Sequence, residues 1–506
     1  MKKIFLMILI TLTLLSISGV CADENITDVV ASDGDVLNQM EDNLQEADSQ
    51  DDADDTTVEK ATSQITASNV KGYESFKTTV GIKLTANGTA LASKPISILL
   101  DGVTYNKNTD KNGEVKLAVS LKKGEYNAVI TYLGDNSTTN ATKTCKISIS
   151  SPSKTTLTVG DKYINYRQGS KCLFYVKLLS NGKAVKNQLV TFKIGSKTYT
   201  AYTDKNGVAK IYVNLKKGKH TVKYYFTKNA PYLSSSGSYK INVKAKMAKG
   251  DGYWLWSSHM KKVNLKSLSK KGTKHILLHV HAISQYGKSS VVSFIKKAHK
   301  YGMKVHLWMQ VCYSGGKWVR PINKDNTIKY SFLNKKIKEA KKYAKIKGVD
   351  GIHFDYVRFG GTAHLYKDPD RAINYFSKKA STEIHKIKPN CIVSAALMPE
   401  PSMMHYYYGQ DVSTMSKYMD VLIPMVYKGN YHQKTPWITS VTKAFVGQSN
   451  GAQIWTGLQS YHSDDNAKKL TQSSLLKDAK AAKNGGATGV MLFRIGISCN
   501  FNFKKV

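Results

Sequence analysis

From Asp23 to Glu59 the chain contains no lysine or arginine, only 14 aspartates and glutamates. With few aromatics and many Ser, Thr and Asn as well, residues 23–70 lack the apolar surface needed to offset ordering entropy, which excludes a packed domain there and predicts an acidic, disordered spacer. Cysteine is scarce too. Loss of Cys21 with a leader leaves Cys145, Cys172, Cys312, Cys391 and Cys499, an odd and scattered set that excludes a disulfide framework. Cys312 and Cys391 fall at apolar strand ends outside any cysteine-protease motif and read as small buried hydrophobes. After the run Ile4 to Leu15 no stretch is apolar for long enough to span a bilayer, and the end Phe503-Lys504-Lys505-Val506 carries no anchor pattern.

That first run follows Met1-Lys2-Lys3 and precedes Val20-Cys21-Ala22, the charged start, short apolar core and small-residue exit of a secretory signal. Residues 1–22 therefore read as a signal peptide, and the mature chain as secreted or held at the cell surface, with no transmembrane segment after cleavage. Residues 61–506 hold 72 bases against 22 acids, a net charge of +50. Outside a cell such a field points to polyanions such as acidic wall polymers or lipid head groups, not to nucleic acid. The lysines are spread over every predicted helix face instead of forming one stripe.

An internal repeat follows. Thr109-Asp110-Lys111-Asn112-Gly113 recurs as Thr203-Asp204-Lys205-Asn206-Gly207, Leu121-Lys122-Lys123-Gly124 as Leu215-Lys216-Lys217-Gly218, and Asn87-Gly88 as Asn181-Gly182, always 94 residues apart. A constant offset means whole modules are duplicated. Short strand-like segments between these turns, such as Val115 to Val119 and Ala209 to Val213, predict two all-β immunoglobulin-like sandwiches over 71–150 and 151–246. Glycosylation sequons at Asn87, Asn136 and Asn140 lie in turn-like stretches. The repeats resemble the bacterial-immunoglobulin-like modules of adhesin-like surface proteins, particularly those of methanogenic archaea, on the strength of the Asp-Lys-Asn-Gly and Leu-Lys-Lys-Gly turns.

From 247 to 506 apolar strands alternate with amphipathic helices. Strands start near Tyr253, His275, Lys304, Gly351, Cys391, Asp420, Gln453 and Gly489. Helical spacing relates Val291, Val292, Phe294, Ile295 and Ala298, then Phe332, Leu333, Ile337, Ala340 and Ala344, then Ala372, Tyr375, Phe376 and Ala380. Eight β-then-α units in about 260 residues predict a (β/α)8 TIM barrel, whose chemistry belongs at the C-terminal ends of its strands.

Those ends are rich in functional groups. The fourth strand reads Asp350-Gly351-Ile352-His353-Phe354-Asp355-Tyr356-Val357-Arg358-Phe359, and alternation puts His353 and Asp355 on one face, with Arg358 a candidate partner. Strand one offers Trp254 and Trp256, strand two His279 and His281, strand three His306, Trp308 and Gln310. Strand five runs on to Pro399-Glu400, strand six ends at Tyr427, strand seven at Gln459-Ser460-Tyr461 and strand eight at Arg494. Glycosidic hydrolysis needs one carboxylic acid and one carboxylate. Asp355 and Glu400, from adjacent strands, are the expected catalytic pair. The aromatic rings of Trp254, Trp256, Trp308, Tyr356, Tyr427 and Tyr461 are expected to face sugar rings, with His279, His306, His353 and Gln310 on hydroxyls and His281, Arg358, Gln459 and Arg494 completing the binding set. Asp464 and Asp465 after strand seven and Asp411 before strand six are weaker alternatives to the pair Asp355 and Glu400, and read first as caps of following helices.

The fourth-strand motif resembles that of the glycoside-hydrolase-like TIM-barrel families, Asp-Gly-Ile-His-Phe-Asp-Tyr-Ile-Arg-Tyr, and the pattern extends from about Tyr253 to Phe493. That resemblance implies that Asp355 occupies a catalytic carboxylate position. An Asp on strand four followed by a Glu after strand five is similar to the α-amylase group, with His353 where that group has an arginine. Pro424-Met425-Val426-Tyr427 resembles the chitinase-like barrels, whose strand-four Asp/Glu ladder is absent here.

The expectation is a secreted or cell-surface glycoside hydrolase acting on a cell-wall or extracellular polysaccharide, an acidic wall polymer and, on the archaeal resemblance, pseudomurein among the candidates. No cofactor and no metal site is assigned. Two rival readings stand beside it. One is an adhesin that binds glycan without cleaving it. The other is a metal-dependent deacetylase or amidase using His279 and His281, although barrel amidohydrolases carry such a pair on strand one with further ligands on strands five, six and eight, which are not histidines here.

Overall fold

In the computed structural model residues 59–506 are described, so the signal peptide and most of the acidic spacer lie outside the described residues. The expected spacer ends too late. Ser63–Ala67 is a strand paired antiparallel with Thr78–Ala86, and Val70–Tyr73 is another, because Ile65 alternates with polar neighbours and buries itself in the first core.

Residues 61–246 are β-rich. In their first half, Ser63–Ala67, Thr78–Ala86, Thr89–Ala90 and Glu114–Val119 form one sheet, and Val70–Tyr73, Ala141–Ser150, Gly124–Tyr132, Pro95–Leu100 and Val103–Asn108 a second. Ile65, Val80, Ile82 and Leu117 from one sheet share a core with Ile98, Ile130 and Ile147 from the other. The second half repeats the plan, with Phe174 packed edge-on against Phe192 at 6.0 Å across its own core.

The 94-residue offset survives into backbone geometry. Asn87 and Gly88 (φ 45° and 79°) turn the chain between paired strands, as Asn181 and Gly182 (φ 48° and 74°) do in the second copy, the left-handed pair a tight hairpin demands. Asp110 Oδ1 accepts the N–H groups of Asn112 and Glu114 at 2.8 and 2.9 Å, and Asp204 Oδ1 those of Asn206 and Val208 at 2.8 and 3.0 Å. Gly113 and Gly207 close these loops at φ 72° and 74°, where a Cβ would lie 2.4 and 2.5 Å from the carbonyl oxygens of Leu84 and Leu178.

The C-terminal region is a closed barrel of eight parallel strands, Gly250–Leu255, His275–His279, Lys304–Gln310, Gly351–Asp355, Ile392–Leu397, Val421–Pro424, Gln453–Gln459 and Gly489–Phe493, with helices in the connections: the TIM arrangement. Alternation sorts each strand. Ile352 and Phe354 point out to the helix layer, where Phe354 meets Phe376 of the helix Asp370–Ile387. Trp254, Leu277, Trp308, Val421, Trp455 and Met491 point in and fill the barrel.

Ala61–Val506 form one compact unit, and the second β region is bolted to the barrel by charge. Asp420, at the start of the sixth strand, accepts from Arg167 at 2.5 Å, Asn165 at 2.8 Å, His385 at 2.9 Å and the N–H of Val393 at 2.9 Å. Burial alone would raise its pKa, but His385, Lys244 and Arg167 hold it well below the usual carboxylate range. Asp161 likewise accepts from Tyr418 at 2.5 Å and pairs with Lys378 at 3.3 Å.

Asp411 caps the helix Val412–Tyr418, accepting from the N–H of Thr414 at 3.2 Å. Asp464 does not act as a cap: its oxygens take the Tyr461 hydroxyl at 2.6 Å and the Asn430 amide at 2.8 Å, while Thr471 caps the next helix, Gln472–Asn484. Asp465 is exposed in the same hairpin turn, seven residues ahead of that helix. The free thiols of Cys145, Cys172, Cys312 and Cys391 are buried. Burial pushes those of Cys312 and Cys391 up to about 12. Among the described residues no helix is long and apolar enough to cross a membrane.

Candidate active site

The inward-facing side chains stack in levels, and the level decides what each can do. Lowest are His275 and His306, whose Nδ1 and Nε2 share a 2.9 Å hydrogen bond, with the Trp455 ring 4.5 Å from that of His275. His306 has no exposed surface. One level up, Trp254 donates its indole N–H to His353 Nε2 at 3.1 Å, leaving the His353 Nδ1–H for Ser394 Oγ at 3.0 Å. Burial, then the neighbouring His306, pulls the pKa of His353 well below its usual value, so the ring is neutral. His306, His353 and Trp254 were expected to meet sugar. The structure makes them barrel floor, because strand alternation sets the face of a residue but not its height along the axis.

Asp355 ends the fourth strand at the upper level, in register with Gln310 of the third, a half-buried side chain. It is 9% exposed. Trp308 donates to Oδ2 at 3.1 Å and the N–H of Tyr356 to Oδ1 at 2.7 Å. That second bond depends on Tyr356 adopting left-handed backbone, φ 51°, which turns the chain sharply out of the strand. Burial raises the Asp355 pKa against the opposing effects of these bonds and of Arg358. The Tyr427 hydroxyl is enclosed without a partner, and its pKa is raised by burial, with Tyr461 and Asp355 adding to the shift.

Glu400 lies three residues past the fifth strand on a loop tied down by Gln410, whose Oε1 accepts from the N–H of Met398 at 3.1 Å and whose Nε2 donates to the carbonyls of Val357 and Ala396 at 3.2 and 3.3 Å. Its Oε1 accepts from Tyr431 at 2.7 Å and Tyr408 at 3.3 Å, while Oε2 is enclosed without a partner. Burial raises its pKa, and the two phenols and Arg358 only partly counter that.

The positive charge of Arg358 acts on both acids, lowering the pKa of each. Its guanidinium carbon is 4.6 Å from the ring centre of Trp318, 5.3 Å from Tyr408 and 5.5 Å from Tyr356, so Tyr408 touches both Arg358 and Glu400. Tyr313 stacks on Tyr356 at 4.8 Å and adds to this wall. Across the mouth, Trp256 packs against His279 at 4.7 Å and Trp308 at 4.8 Å, with Arg494 5.8 Å over it. Gln459 is spent on Asn430, donating to its Oδ1 at 2.7 Å, and Tyr461 on Asp464.

His279 and His281 do not act as a pair on one strand face. The strand ends at His279, and His281 opens the helix His281–Lys300, exposed and bonded to Ser284 at 3.2 Å. Among the described residues no three His, Cys, Asp or Glu side chains converge as a metal would require.

The sequence reading missed Tyr408, Tyr431, Gln410, Trp318 and Tyr313. A usable signal existed for two of them: the run Tyr406-Tyr407-Tyr408 shortly after Glu400, and Trp318 just beyond Gly315-Gly316, both in segments that leave strand ends.

Residues 239–484 match a family model described as "Putative glycosyl hydrolase domain". The chain is similar to the solved structure of a class V chitinase from Pseudomonas fluorescens Pf-5, at 13% identity over 51% of this chain and 98% of that one, TM-score 0.40. It is also similar to the spore cortex-lytic enzyme SleL of Bacillus megaterium QM B1551, at 14% identity over 52% and 75%, TM-score 0.36. A third is an endo-1,4-beta-D-mannanase from Thermotoga petrophila RKU-1, at 12% identity over 49% and 88%, TM-score 0.36. No curated protein matches the chain.

Proposed function

We propose that the barrel is a glycoside hydrolase in which Glu400 is the general acid and Asp355 the carboxylate that meets the anomeric carbon. The observation that carries this is the pair itself: a buried carboxyl at the end of one strand and a half-buried one three residues past the end of its neighbour, both with raised pKa, both in the field of Arg358. Their surroundings differ in a way that assigns roles. Glu400 has one oxygen with no donor, so its proton costs no lost hydrogen bond. Asp355 has a donor on each oxygen, which favours the charged form. In the reaction Glu400 gives its proton to the bridging oxygen as the bond to the anomeric carbon breaks, while Asp355 attacks or stabilises the developing cation, and water completes hydrolysis. Trp256, Tyr356, Trp318 and Tyr408 offer partly exposed ring faces around them. The family match over residues 239–484 supports the same reading.

The substrate in this reading is a cell-wall or extracellular polysaccharide met outside the cell, after removal of residues 1–22. Residues 61–150 and 151–246 serve as immunoglobulin-like modules that present the barrel, residues 247–506, to the polymer. Release of reducing ends from a panel of wall and extracellular glycans tests it. Wild-type protein is expected to release them and Asp355→Asn and Glu400→Gln not to; glycan binding without release by wild type would leave the adhesin reading instead.

A further inference from the structure

Arg358 is a cation without a counter-ion in contact. Its Nη1 donates to the carbonyl of Phe359 at 3.0 Å, and no carboxylate among the described residues forms an ion pair with it. Nε is enclosed and has no acceptor, whereas Nη2 is neither enclosed nor bonded. Nε–H and one Nη2–H point the same way and make the edge by which a guanidinium grips a carboxylate through two parallel bonds. Here that edge is free, and the rings of Trp318, Tyr408 and Tyr356 hold the plane of the group.

The neighbouring acids do not fill the edge. Asp355 spends its oxygens on Trp308 and Tyr356, and Glu400 has one oxygen on two phenols and the other enclosed. The enclosed Nε–H has given up hydration that an acceptor in contact restores, and a carboxylate, which also meets the charge and takes the Nη2–H in parallel, does so most strongly. No carboxylate of the described residues takes that place, and Arg358, Glu400, Tyr356 and Tyr408 are each partly exposed, so an anion from solvent can reach it.

We infer that the free edge of Arg358 is a carboxylate subsite, so that the glycans this barrel selects carry a carboxyl group at or next to the sugar held between Asp355 and Glu400. This rests on the hydrolase reading for the location of the sugar. The carboxyl can belong to the sugar ring, as in a uronic acid, or to an acidic group carried on an ether oxygen, and both offer the same planar acceptor. Arg494, over Trp256 on the opposite side and also without an ion pair, adds positive field to the same mouth.

Titration calorimetry on the full chain tests this with paired oligosaccharides: galacturonate and hyaluronan oligomers for ring carboxylates, a muramic-acid glycan strand for the ether-linked kind, each against its carboxyl-reduced neutral counterpart. The expected result is that at least one acidic member binds tenfold or more tightly than its reduced partner, and which pair does so identifies the source. Arg358→Gln is expected to bring the two within about twofold by weakening only the acidic member, and Arg358→Lys to retain part of the preference, since it keeps the charge without the fork. If Arg358→Gln does not fold, the wild-type preference and its partial loss in Arg358→Lys carry the test. Equal binding within every pair, absence of binding to all of them included, overturns the inference, as does a preference that Arg358→Gln leaves intact. The readout is independent of turnover: a carboxyl preference without released reducing ends supports the subsite while removing the hydrolase reading, and equal cleavage of acidic and reduced glycans does the reverse.

Discussion

Trp308 holds Asp355: the indole N–H of one barrel strand meets Oδ2 of the next at 3.1 Å, while the ring is buried in the barrel core. The indole fixes one oxygen of the buried carboxylate and the N–H of Tyr356 fixes the other. A reactive group held on both oxygens needs little reorganisation when charge develops beside it.

Replacement of either acid should abolish turnover without unfolding the barrel. For Asp355→Asn and Glu400→Gln kcat is expected to fall by about a thousandfold or more, with KM little changed. Steady-state kinetics with far-UV circular dichroism on the same samples measures both, and a tenfold loss or less for either variant would remove that residue from the chemistry.

The raised pKa of Asp355 has a stability counterpart. An acid whose folded pKa exceeds its unfolded value of 3.8 contributes stability that is complete below 3.8 and is lost as pH rises through the folded value. Asp355→Asn, which cannot ionise, should therefore be more stable than wild type at pH 7, and the gain should fade as pH falls through the folded value and be gone below 3.8. Thermal melts across that range follow the difference, which is wrong in sign if the variant is the less stable protein at pH 7.

Tyr431 donates the shorter bond to Glu400 and thereby favours its charged form. Tyr431→Phe removes that donor, so the Glu400 pKa should rise further and the basic limb of the kcat/KM profile should move to higher pH. A limb that stays in place would mean that Glu400 is not the acid it reports.

Asp420 works with the opposite sign. Its pKa lies well below 3.8, so its contribution is present above 3.8 and is lost as pH falls through the folded value. Asp420→Ala leaves Arg167 and His385 facing a buried gap and should cost about 3–5 kcal/mol. All six tryptophans lie between Trp254 and Trp455, so their fluorescence during guanidinium unfolding reports the barrel. An unchanged midpoint would show that the β region is not a support for it.

Gly113 and Gly207 should respond alike to alanine, each losing about 1–3 kcal/mol, because both have positive φ and a carbonyl where the Cβ would go. Calorimetry on the two single variants compares them, and a large cost in one alone would contradict the equivalence of the two copies.

Much of the architecture was legible in the letters. The repeat words are turn chemistry, and Asn-Gly and Asp-Lys-Asn-Gly make the same turns wherever they stand, so a constant offset carried through to matching φ angles and hydrogen bonds. Strand starts read from apolar runs came within a few residues of the eight observed. The start of the first β region was misplaced because Ser63–Ala67 is only five residues long and abuts an acidic stretch whose composition dominated the reading.

The site divides along a different line. Period-two alternation is a local property of extended backbone, and by itself it determined that Asp355 and His353 share a face and that Ile352 and Phe354 face the helices. Height within a closed barrel depends on strand tilt and register between neighbours, which no single segment carries. Only the tertiary structure decided that His353 and His306 are floor while Asp355 is rim, that Tyr408 and Tyr431 converge on Glu400 from separate loops, and that Arg358 comes to rest among three rings with one edge unpaired.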